Sequence, residues 1–152
     1  MKVDVTEIRD LGRLMRWRAE VIRCVFGEEP SPALLEANRE YYEHSIADGS
    51  HRAYVAGVGG EECGCGAICF SRELPSPDNP SGRCAYLMNI YVRKAYRHHG
   101  VAHAVVSRLI REARKTGCGK IYLESTEEGR PVYASLGFRD MPDMMKYYEE
   151  EH

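Results

Sequence analysis

Residues 84–104 read CAYLMNIYVRKAYRHHGVAHA. Cys84 to Val92 is a nearly continuous apolar run, the pattern of a strand buried on both faces. From Val101 the period changes. Ala102, Val105, Val106, Leu109 and Ala113 form one stripe of a helix reaching about Lys115, with Arg108, Arg111, Arg114 and Lys115 facing outward. Between strand and helix lies a basic loop of Arg93, Lys94, Arg97, His98 and His99, closed by Gly100. The first turn of a helix has unpaired N–H groups and the positive end of the dipole. Glycine lets a ligand come close to that backbone. Together these point to an anion site, for phosphate or pyrophosphate. Neither G-x-x-x-x-G-K-[ST] nor G-x-G-x-x-G occurs. The string is Arg97-x-x-Gly100-x-Ala102.

Working outward, the same alternation of periods predicts the other elements. Met1 to Thr6 alternates apolar and polar, as a short strand does. Asp10 caps a helix to about Phe26 with Leu11, Leu14, Met15, Ile22 and Val25 on one stripe, and Gly27 ends it. Ser31 and Pro32 open a second helix that Gly49 stops. Arg52–Val58 and Glu62–Phe70 make a hairpin around Gly59-Gly60-Glu61. A loop with three prolines spans Ser71 to Gly82, either shaping a binding mouth or only joining strands. Downstream, Gly117 ends the long helix. Ile121 to Ser125 reads as a strand and Arg130 to Leu136 as a short helix. Phe138 and Met144 to Tyr148 supply one or two last strands. The predicted order is β-α-α-β-β-β-α-β-α-β, an α/β mixed sheet with one right-handed crossover.

At 152 residues the chain has the length of a single domain, residues 1–152. With 43% hydrophobic and 29% charged residues it is ordinary for a folded protein, which excludes a disordered chain or fibrous repeat. A net charge of −2 gives no strong case for nucleic acid, and none is expected as partner. No apolar run approaches the ~20 residues of a membrane helix, so no membrane partner is expected. The start lacks the features of a secretory signal, and six irregularly spaced cysteines read as free thiols of a cytoplasmic protein. Cys63, Cys65 and Cys69 have no nearby fourth ligand, and His98-His99 alone is a weak zinc pair, so no metal is expected.

Two separated motifs now carry a resemblance. Ile90-Tyr91-Val92 with Arg97-His98-His99-Gly100-Val101-Ala102, followed by Tyr133-Ala134-Ser135-Leu136-Gly137-Phe138, resembles the GNAT superfamily of N-acetyltransferases. The resemblance covers residues 86–138, and the N-terminal part fits by element order. It implies a GNAT-like fold and acetyl-CoA as co-substrate. By it, the strand end Ile90, Tyr91 and Val92 offers backbone groups to the pantetheine arm, and the amides of Arg97 through Ala102 (Arg97, His98, His99, Gly100, Val101, Ala102) bind the pyrophosphate. Tyr133 takes the place of the family's general acid for the leaving thiolate, a role suited to a phenol that donates at neutral pH. The chain departs from the family pattern at Lys94, where proline is frequent. Thr126 and Gly129 stand where Asn and Ala are frequent beside the cofactor.

The expected reaction is direct attack by a primary amine in a ternary complex, with the thioester carbonyl polarised by backbone N–H near Val92. The acceptor is a small molecule or a peptide. Asn89, the one amide in its strand, is a candidate catalytic residue contacting acceptor or water, set against a structural amide satisfied by its own partners. Glu124 and Glu127 are possible bases. Glu20 either faces the acceptor cleft or, the stronger reading, makes an i,i+4 pair with Arg16. Trp17, Tyr41 and Tyr42 belong to the core or the acceptor wall. The sheet edge near the C-terminus is where a homodimer would form, and the acidic tail Glu149-Glu150-Glu151 is a solvated end. The rival expectations are a non-catalytic acyl-CoA-binding module and an enzyme that holds another nucleotide at the same helix.

Overall fold

The computed structural model describes residues 2–149. Met1 of the first expected strand and Glu150 and Glu151 of the acidic tail lie outside the described residues. The elements are β1 (Asp4–Ile8), α1 (Leu11–Val21) running into a π-helical turn (Ile22–Phe26), α2 (Pro32–Ala47), β2 (His51–Val58), β3 (Glu61–Arg72), β4 (Arg83–Val92), a 3-10 turn (Lys94–Tyr96), α3 (Val101–Lys115), β5 (Lys120–Leu123) and α4 (Arg130–Ser135). The caps read from sequence are formed. Asp10 Oδ2 accepts from the Arg13 N–H at 2.9 Å, and Ser31 Oγ from that of Leu34 at 3.1 Å. Val25, placed on the inner stripe of the first helix, is half exposed, because the π turn shifts the register.

The five strands make one sheet in chain order, antiparallel from β1 to β4 and parallel from β4 to β5. α1 and α2 cover one face through Leu14, Trp17, Val21, Tyr42 and Ile46. α3 covers the other through Val101, Val105, Val106, Leu109 and Ala113, all at most 1% exposed. Each of these valines and the leucine contributes about 1.5–3 kcal/mol relative to exposure, so this stripe fixes where the N-terminus of α3 meets the end of β4.

The expected last strands are absent among the described residues, and the predicted order loses its final β. Met144-Met145-Lys146-Tyr147-Tyr148 does not alternate, so pairing would bury no clean apolar face. Met145 and Tyr147 stand 97% and 85% exposed. Pro142 also lacks a ladder donor.

The proline-rich loop lies at the end of the sheet opposite the junction of β4 with α3. Asn79, 1% exposed, seals it. Its Nδ2 donates to Glu73 Oε2 and to the Arg83 carbonyl, both at 3.2 Å. Its Oδ1 lies against Gly119, where an added Cβ would come within 2.2 Å. The loop therefore joins strands and clasps the start of β5.

Candidate active site

β4 outlasts its neighbour. Pairing with β5 stops at Leu87 opposite Leu123, while β4 continues to Val92. The Arg93 N–H donates to the Cys63 carbonyl at 2.8 Å. By the alternation of an antiparallel ladder, the backbone groups of Val92 then face the gap that β5 has left. The Val92 carbonyl is met by Arg97 Nε at 2.9 Å, which straps the basic loop to the strand end. Its N–H faces the same gap. Tyr91 is turned the other way, its ring packed edge-on against Trp17 at 6.3 Å. The Ile90 side chain joins the α3 layer.

The loop after this strand holds two left-handed residues. Arg97 is extended, His98 is left-handed at φ 66°, and Gly100 is left-handed at φ 83°. No side chain caps α3. The Ala104 N–H is taken by the Gly100 carbonyl at 3.0 Å. The first-turn amides of Val101, Ala102 and His103 lie before any intrahelical partner. A Cβ built on Gly100 would meet nothing within 4 Å, so the approach is open. His98 and His99 are exposed beside it, while Val101, 1% exposed, anchors the turn from below. Unpaired first-turn amides, helix dipole and open space together fit a pyrophosphate.

Beyond β5, α4 carries Tyr133. The Gly129 N–H is received by both the carbonyl and the hydroxyl of Thr126, each at 3.2 Å. A Cβ at Gly129 would lie 2.8 Å from Tyr133 Cε2. Gly129 is thus a seat for the tyrosine ring, and Thr126 fixes the turn that holds the seat. Phe138 packs edge-on against the same ring at 6.1 Å. Burial pushes the Tyr133 phenol above its ordinary pKa, and its hydroxyl makes no hydrogen bond among the described residues. It stays protonated and free to donate. An open groove of about 1170 Å³ is lined by Tyr133, Phe138, Leu123, Tyr86 and Glu124 among others. Val92 and residues 97–102 are not among its walls. Glu124 accepts from the Tyr86 hydroxyl, and Glu127 is exposed in the loop before α4.

On the face of α1 and α2, the β3–β4 ladder steps from Cys65 opposite Tyr91 to Ala67 opposite Met88. β4 has one extra residue there, and Asn89 takes φ 57°. The bulge aims its side chain at α1. Arg18 Nη1 donates to Asn89 Oδ1 at 2.8 Å and Nε to Asn38 Oδ1 at 3.0 Å. Sequence reasoning missed Arg18 and Asn38, because nothing in their spacing marks them as partners of residue 89. Glu20 does not pair with Arg16. It takes a two-pronged bond from Arg93, both at 2.9 Å, which holds its carboxyl below the usual range. The fork of Arg93 matches a carboxylate better than a one-turn helix pair does. Trp17 is core, its indole N–H on Glu62 at 2.7 Å. The Tyr41 hydroxyl meets His51 Nδ1 at 2.8 Å, and His51 Nε2 is buried with no partner. The six cysteines are free thiols, and no cluster of three metal-ligating side chains occurs among the described residues.

Comparison with known proteins bears on this geometry. A sequence profile described as the acetyltransferase (GNAT) family matches residues 14–138. Glucosamine 6-phosphate N-acetyltransferase 1 from Oryza sativa subsp. japonica is 32% identical over 123 residues, which is 78% of this chain and 73% of that protein. The crystal structure of a predicted acetyltransferase with acetyl-CoA from Clostridium acetobutylicum superposes with a TM-score of 0.85 at 25% identity, covering 97% of this chain and 96% of that one. A GCN5-related N-acetyltransferase from Ralstonia eutropha JMP134 superposes with a TM-score of 0.77 at 25% identity, over 97% and 99% of the two chains. The whole fold is thus shared with solved acetyltransferases, and the chain belongs to the GNAT family, as an acetyl-CoA-dependent N-acetyltransferase.

Proposed function

We propose that this chain, acting as one domain, transfers the acetyl group of acetyl-CoA to the primary amine of a small-molecule acceptor by direct attack in a ternary complex. The observation that carries the assignment of the site is the parting of β4 from β5 after Leu87. It leaves the N–H of Val92 facing a gap that leads to the left-handed loop and bare N-terminus of α3. In this reading the amides from Arg97 to Ala102 hold the pyrophosphate, and the free edge of Ile90 to Val92 holds the pantetheine arm. The Val92 N–H polarises the thioester carbonyl, as a fixed donor aimed at developing negative charge does. Arg97 acts through its side chain, keeping loop and strand end in register.

Tyr133 gives its proton to the departing thiolate. Support comes from its free hydroxyl and the burial that keeps it protonated. Gly129 and Thr126 position that ring. Asn89 bears on the acceptor side, through Arg18. The rice relative is named for a phosphorylated amino sugar, which supports a small amine over a peptide. The free edge of β5 is the place for a homodimer, and six free thiols suit a reducing cytoplasm.

Isothermal titration with acetyl-CoA, CoA, ATP and NAD in parallel tests the site. Micromolar binding of the CoA forms is expected, followed by thiol release on adding amines. Binding of ATP or NAD in place of CoA would overturn the assignment.

A further inference from the structure

The cations around the acceptor wall are met by carboxylates, with one half-buried exception. Arg13 pairs with Glu62, Arg23 with Glu29, and Arg93 with Glu20. Arg16 points to solvent. Arg18 is half-buried and pairs with no carboxylate among the described residues. Its Nε and Nη1 rest on neutral amide oxygens of Asn38 and Asn89, and Nη2 makes no hydrogen bond among the described residues. A guanidinium withdrawn from water without a counter-charge is costly. Two amides hold it in place without neutralising it, and one prong of its fork stays open.

Its neighbours point the same way. Tyr42 is 4% exposed, and its hydroxyl makes no hydrogen bond among the described residues. Burial pushes that phenol up to about 12, and the Arg18 charge pulls against the shift. Phe26, on the π turn, lies with its ring 5.9 Å from the Arg18 guanidinium and stays 63% exposed. The bulge that aims Asn89 at Arg18 lies within the stretch of β4 that β5 has left.

We infer that Arg18, fixed by Asn38 and Asn89, binds an oxyanion on the acceptor, so that the acceptor is an amine that also carries a phosphate or carboxylate. A planar guanidinium with a free prong suits either group, and such charge-assisted contacts discriminate about tenfold to a hundredfold against a neutral analogue. This rests on the acetyltransferase reading, since it names the acceptor of that reaction.

The test measures binding to the CoA-loaded protein by isothermal titration with two matched pairs. One is an amino sugar phosphate and the same sugar without phosphate. The other is leucine and leucinamide. We expect the anionic member of one pair to bind at least about tenfold more tightly, and that pair identifies the anion. Arg18→Gln erases the difference and leaves affinity for acetyl-CoA as it was. Arg18→Lys keeps part of it, and serves if the glutamine variant does not fold. Discrimination in neither pair overturns the inference. So does an equal loss for both members of a pair in Arg18→Gln, which would make Arg18 a brace between helices. Failure to bind CoA at all is a different result, and removes the acetyltransferase reading itself.

Discussion

The cofactor side and the acceptor side proposed for this protein are built from different materials. Between β4 and α3 the groups proposed to bind are main-chain amides, set by left-handed residues at 98 and 100 and by a helix with no side-chain cap. Between α1 and β4 they are side chains. Arg18 and Asn89 meet at 2.8 Å although 71 positions separate them. A site made of backbone is carried by a local string of residues. A site made of side chains exists only once distant elements have packed.

Perturbing each side separately sharpens that contrast. Gly100→Glu should have the largest effect. It forces a left-handed backbone on a non-glycine residue and puts a carboxylate into the open space above the amides, lowering affinity for acetyl-CoA at least about a hundredfold. A folded variant with unchanged affinity would move the pyrophosphate elsewhere. Tyr133→Phe comes next, with kcat reduced about a hundredfold and acetyl-CoA binding nearly unchanged. Equal losses in both constants would mean that the ring packs and does not donate.

The third effect separates the two sides by pH. Burial holds His51, on the face covered by α1 and α2, down at about 4, with the Arg18 charge acting in the same direction. A depressed base binds fewer protons folded than unfolded, so stability is full above the ordinary value of 6.5 and falls as pH drops toward 4. Between pH 7.5 and 5 the loss should be about 2 kcal/mol. Denaturant titrations of wild type and His51→Gln should diverge over that range. Parallel curves would show that His51 gains its proton without cost. Gly129→Ala is smaller again. Its methyl meets the Tyr133 ring, and the displaced hydroxyl should cost kcat about tenfold while sparing acceptor affinity. A normal kcat would leave Gly129 without a positioning role.

What the sequence disclosed follows the same division. The buried run from Cys84, the glycine at 100 and the stripe of α3 are short-range signals, and they locate the strand, the loop and the helix together. The caps at Asp10 and Ser31 were equally local. The bulge at Asn89 was not, because an extra residue in a strand is defined by the register of its neighbour. Glu20 found Arg93 across the fold in place of Arg16 one turn away. The last strands failed for a related reason. Apolar residues near the C-terminus suggested pairing, but Met144 to Tyr148 lack the alternation that makes a strand worth burying.

Asn79 has a consequence for how the chain acquires its shape. β4 and β5 are parallel, so they meet only after α3 has carried the chain across the sheet, a closure of high contact order and hence slow. The amide of Asn79 packs against Gly119, at the threshold of β5, while gripping Glu73 and Arg83 on the hairpin side. The loop cannot finish its own contacts until the crossover is complete. Loop and last strand then form one cooperative unit, gaining protection from hydrogen exchange in a single late step. The Glu73 amide, bonded to the Gly82 carbonyl, and the Gly119 amide, bonded to that of Arg83, are the pair that should become protected together.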